Sequence, residues 1–324
     1  MMSTRLAILE LTNRHRLDAA TLSSLWRLAR LGEPSPQLPT LMRRGAGMLA
    51  ALLVGLGLIF LVAANLDALS RLQKFILLQA CTAAVCLGAA FLPRMRTPLA
   101  LLGLLAIGGL FAYFGQTYQT GADPWQLFAL WAVLALPLAL GARSDTVWSA
   151  WVIVAMTALT TWDAAQSGGW RFTSEDLGIH FLVALLATVI AVLMSQAFIR
   201  FSGAGKVAFN LAVLLATISV TGAGMLALFE RGGNALLYYL LGLLILGVGA
   251  AFLTQRRLFN VTALSVIALG VIFLLDAGLL RLFDSGGSGE GILLVVGLAA
   301  VGLMAAAVRG ILALMREYGS GDKA

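Results

Sequence analysis

Charge is scarce in this sequence. Of its 324 residues only 11% are Asp, Glu, Lys or Arg, while 60% are hydrophobic and the mean hydropathy is +0.94. A soluble domain carries about 25% charged residues, so an ordinary water-soluble globule is excluded. Histidine is as rare as cysteine, two of each. Two imidazoles cannot build a His-rich zinc or haem site. Cys81 and Cys86 stand five apart in one apolar run, on different faces of a helix. That spacing excludes a disulfide or a thiolate metal centre and leaves two small hydrophobes. HExxH, GxSxG and the Gly-Lys-Ser/Thr nucleotide loop are all missing. No apolar run carries an arginine ladder or two acids. A lipid- or envelope-modifying enzyme would need Asp123, His180, Glu230 and Asp276 to converge at one depth, which the sequence gives no reason to expect. The chain therefore reads as non-enzymatic and free of cofactors.

What is present is a series of long apolar runs. They fall at about 46–64, 72–92, 98–115, 125–142, 146–162, 177–199, 207–229, 235–254, 259–280 and 291–314. Each approaches the ~20 residues that a helix needs to cross a hydrocarbon core. The runs are rich in Leu and Ala and do not alternate, which excludes a β-barrel. The predicted fold is all-α: a polytopic transmembrane helical bundle of about ten spans behind a short N-terminal cytoplasmic helical hairpin. The expected organisation is 1–44 as preface and linker, 45–316 as the bundle and 317–324 as a tail. No cleavable signal peptide is expected, because the first apolar run begins only near Ala46 behind a charged segment. That run should act as an uncleaved anchor.

The net charge of +7 comes from residues that flank the runs. Their placement suits orientation in a bilayer rather than phosphate contact, so nucleic acid is not an expected partner and the lipid bilayer is. With ten spans, 17 of the 22 Lys and Arg residues share a side with both termini. The other five are Arg71, Lys74, Arg171, Arg231 and Arg281. The positive-inside rule then places both termini in the cytoplasm. Trp148 and Trp151 on the inner side, and Trp125, Trp162 and Trp170 on the outer, are expected at belt positions in the two interfaces.

In the preface, Leu6, Leu9, Leu17, Leu22, Leu25 and Leu28 recur at helical spacing. Asp18 is a candidate N-cap for a helix running to about Leu31. Gly32, Pro34, Pro36 and Pro39 are expected to form a stiff linker. A helix-turn-helix DNA reader would need a third helix that this short segment lacks. The run DSGGSGEG, from Asp284 to Gly291, reads as a flexible outer connector.

The most polar stretch inside the apolar region is YFGQTYQTGADPWQLFALW, Tyr113 to Trp131. It gathers Gln116, Thr117, Tyr118, Gln119, Thr120 and Asp123 at the outer ends of spans 3 and 4. Asp123 at the N-cap, Pro124 at N1 and Gln126 at N3 predict a capping box. The expected ligand-binding residues are Gln116, Tyr118, Gln119 and Asp123, around a polar pocket open to the periplasm. A well-capped interhelical turn is the plainer alternative. The run GQTYQTGADPWQLFALWAVLALPLAL, with the helical preface and Ala142-Arg143-Ser144, resembles the bacterial membrane proteins of domain of unknown function 2157. The resemblance covers about residues 10–150. It implies a bacterial inner-membrane protein and implies no activity.

Other polar residues lie within the runs. Asp276 is a candidate intramembrane acid, expected to reach outward to Arg281 or water. Asn210, Gln196 and Gln79 are expected to hydrogen-bond neighbouring helices, and Lys74 to snorkel from the outer start of span 2. His180 stands near Glu175 and Asp176, but one ring offers too little for a metal. The sequence thus predicts an inner-membrane protein of unknown biochemical role, with a ligand or partner at the outer polar pocket. The alternative is a secondary transporter of a small molecule, since ten spans suit a five-plus-five inverted repeat.

Overall fold

The computed structural model describes residues 8, 11–12, 14–15, 18–28, 38–64, 70–118, 123–167, 177–229, 234–283 and 289–320. Residues 1–50 and 51–324 form two separate units. The regular structure among the described residues is helical. The main helices are α1 (Ala19–Leu28), α2 (Leu38–Ala64), α3 (Arg71–Phe91), α4 (Arg96–Tyr118), α5 (Pro124–Ala142), α6 (Asp145–Gln166), α7 (Leu177–Leu193), α8 (Lys206–Phe229), α9 (Ala235–Leu253), α10 (Val261–Phe283) and α11 (Gly289–Ser320).

Local signals place the helix starts. In the first unit, Asp18 Oδ1 accepts the Thr21 amide at 3.0 Å and caps α1. Hydrogen bonds from the Thr21 side chain and backbone hold the Asp18 carboxyl below its ordinary range. The first arm of the expected hairpin lies largely outside the described residues, as do Leu31, Gly32, Pro34 and Pro36. Pro39 is a correction: it opens α2 rather than closing a linker. A proline is tolerated in a first turn, where its missing N–H has no helical partner to lose. Helix α3 starts with a full capping box, Gln73 N to Ser70 Oγ at 3.3 Å and Ser70 N to Gln73 Oε1 at 2.9 Å.

Helices α2 to α11 overlap the ten apolar runs of the sequence. Among the described residues, seven segments suffice by length and composition to cross a membrane: Arg71–Phe91, Pro93–Thr117, Pro124–Ala142, Lys206–Leu228, Ala235–Leu253, Val261–Phe283 and Leu294–Tyr318. An eighth arises if Leu177–Leu193 and Gln196–Ser202, bent by 55°, count as one. Helices α2 and α6 are not among them, and in α6 Asp145, Asp163 and the threonines dilute the apolar content.

Residue size sorts the second unit in the manner lipid dictates. Ala135, Ala139, Ala184, Ala187, Ala208, Ala212, Ala227 and Ala263 are fully buried, while Leu72, Phe91, Phe201, Leu294 and Leu298 are each at least 69% exposed. In water that arrangement would waste the large apolar side chains. In a bilayer the tails accept them, and small residues let helices approach closely. This is a protein with several membrane-spanning helices.

Packing follows chain order. Each of α3 to α11 lies against the next, and α4, α6, α8 and α10 also form a row, each packed on the next-but-one helix. Single hydrogen bonds pin neighbours together. Trp131 Nε1 donates to Leu104 O at 2.7 Å, Trp151 Nε1 to Ala132 O at 2.8 Å and Tyr239 Oη to Leu274 O at 2.9 Å. Asn260 Nδ2 donates to Asn210 Oδ1 at 2.8 Å, as expected of Asn210. The Tyr318 hydroxyl donates to Thr254 O. Trp148 departs from its expected belt position: only 2% exposed, it donates Nε1 to Ser202 O at 2.6 Å. Its polar edge satisfies a carbonyl left free at a helix end instead of meeting headgroups.

That bond belongs to a polar knot on the arginine-rich side. Arg143, left-handed at φ 47°, ends α5, and its guanidinium donates to Arg200 O. Asp145 Oδ1 accepts the Ala208 amide at 2.8 Å and Oδ2 the Val207 amide at 3.0 Å, capping α8 from α6. Gly203, at φ 64°, is pressed against Arg143, where a Cβ would stand 2.6 Å from the arginine Cβ. Only glycine fits there, on both conformational and steric grounds.

Candidate functional site

The predicted pocket residues lie where α4 ends and α5 begins. Gln116 and Asp123 are exposed and Thr117 is half-buried. Gln119 lies outside the described residues, and of Tyr118 only the helical backbone is described. The expected capping box does not form. Asp123 has the extended backbone of an N-cap, but its side chain makes no cap hydrogen bond. The Gln126 amide bonds instead to the Asp123 carbonyl at 3.1 Å. That turn uses the donor that the carboxylate would have taken, and Pro124 starts the helix by its fixed φ. The Asp123 carboxylate is left exposed at the start of α5.

Two residues here differ from what the sequence led one to expect. The indole Nε1 of Trp125, in the first turn of α5, is buried and meets no acceptor among the described residues. A buried donor without a partner costs about 1–3 kcal/mol. Lys74, in the first turn of α3, is buried rather than snorkelling outward, only 8% exposed. It shares the inward stripe of α3 with Leu78 and Ala89. Its neighbour Phe75 packs edge-on against Tyr113 at 4.9 Å and Phe114 at 6.1 Å, near the C-terminal end of α4. The helical spacing of Lys74, Leu78 and Ala89 is the signal that could have placed the lysine inside.

The other ionisable residues do not join this group. His180 is buried at the start of α7, and its Nδ1 lies 2.7 Å from Asp163 Oδ1 near the end of α6. Sequence proximity suggested Glu175 and Asp176, which lie outside the described residues. Antiparallel helix ends brought in Asp163 from seventeen positions earlier instead. No cluster of three metal-ligating side chains occurs among the described residues. Asp276 in α10 keeps Oδ1 buried with no donor among the described residues, so that oxygen does not reach water. Asp123, His180 and Asp276 stand on α5, α7 and α10, helices that are not one another's main packing partners. Glu230 lies outside the described residues.

The fold and its size sorting define a multi-pass membrane protein. Residues 9–148 match the family model described as "Predicted membrane protein (DUF2157)", the family that the Gly115–Leu140 run resembles. No curated protein and no solved structure matches the chain. The matched stretch ends at Trp148, inside the polar knot, so it holds the polar stretch between α4 and α5 whole and only the first half of the knot.

Proposed function

We propose that this protein is a bacterial inner-membrane protein of ten spans, both termini cytoplasmic, that binds a small ligand through an oxygen atom at the outer ends of α4 and α5. The observation that carries the binding reading is the buried Trp125 indole N–H with no acceptor among the described residues. A ligand oxygen would satisfy it. Gln116, Tyr118, Gln119 and Asp123 would line the mouth, and Asp276 is left as an intramembrane acid without an assigned partner. The ten-span topology rests on the uneven spread of Lys and Arg, which counts α2 and α6 as spans. A transporter built as an inverted repeat gains no support. Its site would lie where two halves face each other, whereas α2–α6 and α7–α11 meet mainly through α6.

Two measurements test this. Single cysteines placed at Arg256 and at Asn234, in a chain lacking Cys81 and Cys86, are expected to react oppositely with an impermeant maleimide added outside. Only the second should label, and labelling of both or only of the first overturns the topology. For the site, the detergent-purified protein is melted against a panel of phosphates, carboxylates and sulfated compounds, with Trp125→Phe beside it. A ligand at a hundred times its dissociation constant adds about 2.7 kcal/mol. Phenylalanine removes the unsatisfied donor, so the variant should melt no lower than wild type and yet lose most of that gain. A variant that merely melts lower, with no compound separating it from wild type, would show the indole N–H to be structural.

A further inference from the structure

The chain between α7 and α8 is fastened at several points. After Leu193 it turns through 55° and runs as the short helical segment Gln196–Ser202. Ser202 holds its far end: Oγ donates to Phe198 O at 3.3 Å and accepts the Ala204 amide at 3.1 Å, while the Ser202 carbonyl takes the Trp148 indole. Arg143 holds its middle through Arg200 O. A segment so anchored would be expected to tuck its apolar side chains inward. Instead Phe201 is 78% exposed, with Ile199 and Phe198 exposed beside it.

The charges around these rings are three cations to one acid. Arg200 lies within the segment, Arg143 reaches it from the α5–α6 turn and Lys206 opens α8 three residues past Gly203, and all three are exposed. The nearby acid, Asp145, spends both carboxylate oxygens on the Val207 and Ala208 amides. What remains is an exposed aromatic ring beside three cations, at the arginine-rich ends of the helices. A phosphate joined to acyl chains matches both halves of that surface. The cations meet the headgroup and the ring enters the acyl boundary.

We propose that this corner, formed by Arg143, Arg200, Lys206 and Phe201, binds the phosphate of an anionic phospholipid in the leaflet on the arginine-rich side. Inorganic phosphate would satisfy the cations alone, and a zwitterionic lipid the ring alone. Neither would satisfy both.

The full chain in neutral detergent is titrated with short-chain phosphatidylglycerol, short-chain phosphatidylcholine and inorganic phosphate, reading the dissociation constant and Tm. Phosphatidylglycerol is expected to bind wild type and raise its Tm. Arg200→Gln with Lys206→Gln should weaken that binding about 20-fold and leave Tm without lipid unchanged. Arg256→Gln with Arg257→Gln, exposed cations of another loop on the same side, should bind as wild type does. Phe201→Ser, which touches no charge, should weaken binding about tenfold and serves if the first double variant does not fold. The proposal is overturned if phosphatidylcholine or inorganic phosphate matches phosphatidylglycerol. It is equally overturned if the Arg256 and Arg257 changes cost as much, or if the Arg200 and Lys206 changes, or Phe201→Ser, cost nothing.

Discussion

Alanine at position 108 is expected to destabilise the bundle by about 2–4 kcal/mol, although it adds one methyl group to a helix that should welcome it. A Cβ on Gly108 would stand 2.3 Å from Trp131 Cζ2, 2.5 Å from Cη2 and 2.6 Å from Cε2. These are atoms of a rigid ring and cannot swing aside singly. The indole is also stacked on Phe128, with centroids 5.9 Å apart, and its N–H is bonded to Leu104 O. The whole ring must leave, breaking the α4–α5 pin and opening a void. A double-mutant cycle isolates the cause. With Trp131→Ala in place, Gly108→Ala should become neutral or stabilise by up to about 1 kcal/mol, the ordinary helix preference for alanine. Unfolding in mixed micelles by a denaturing detergent gives all four stabilities. If the two changes simply add, the contact between Gly108 and Trp131 does not set the cost.

Replacing Asp145 with alanine is expected to cost about 3–4 kcal/mol, from two hydrogen bonds to an ionised acceptor at about 1.5–3 kcal/mol each in part offset by solvent. The amides of Val207 and Ala208 belong to the first turn of α8, which has no helical acceptors of its own. The carboxylate also opposes the positive end of that helix. Since α8 packs on α6, α7, α9 and α10, fraying its first turn loosens the middle of the row. Asp145→Asn keeps one acceptor without the charge and should lose about half as much. Gly205→Ala should act in the same direction, because its Cβ would fall 2.4 Å from Asp145 Cγ. Amide exchange separates this from general weakening. Val207 and Ala208 should lose protection well before Ala212 and Ala216, and uniform loss along α8 would contradict the capping role.

These two sites show why parts of the molecule were legible and parts were not. The stop of α4 and start of α5 could be read from Gly121 to Pro124, because proline acts on its own backbone. The capping box there could not, because the Asp123 carbonyl competed for the same amide. The partner of His180 could not either, since the acid that reaches it lies at the end of the preceding helix. Lys74 carried a usable signal in its four-residue spacing from Leu78, yet its charge suggested the surface.

The sequence alone determined the class of protein, the helical positions and the polar group between α4 and α5. Hydropathy and helix starts depend on residues a few positions apart, and about twenty apolar residues in a row admit few other solutions. Only the tertiary structure decided which helices meet and through which atoms. Lipid gives helices no hydrophobic reason to prefer one face over another. The choice falls to fitted shapes and single hydrogen bonds, such as Gly108 under Trp131 and Asp145 across sixty-two positions to Val207.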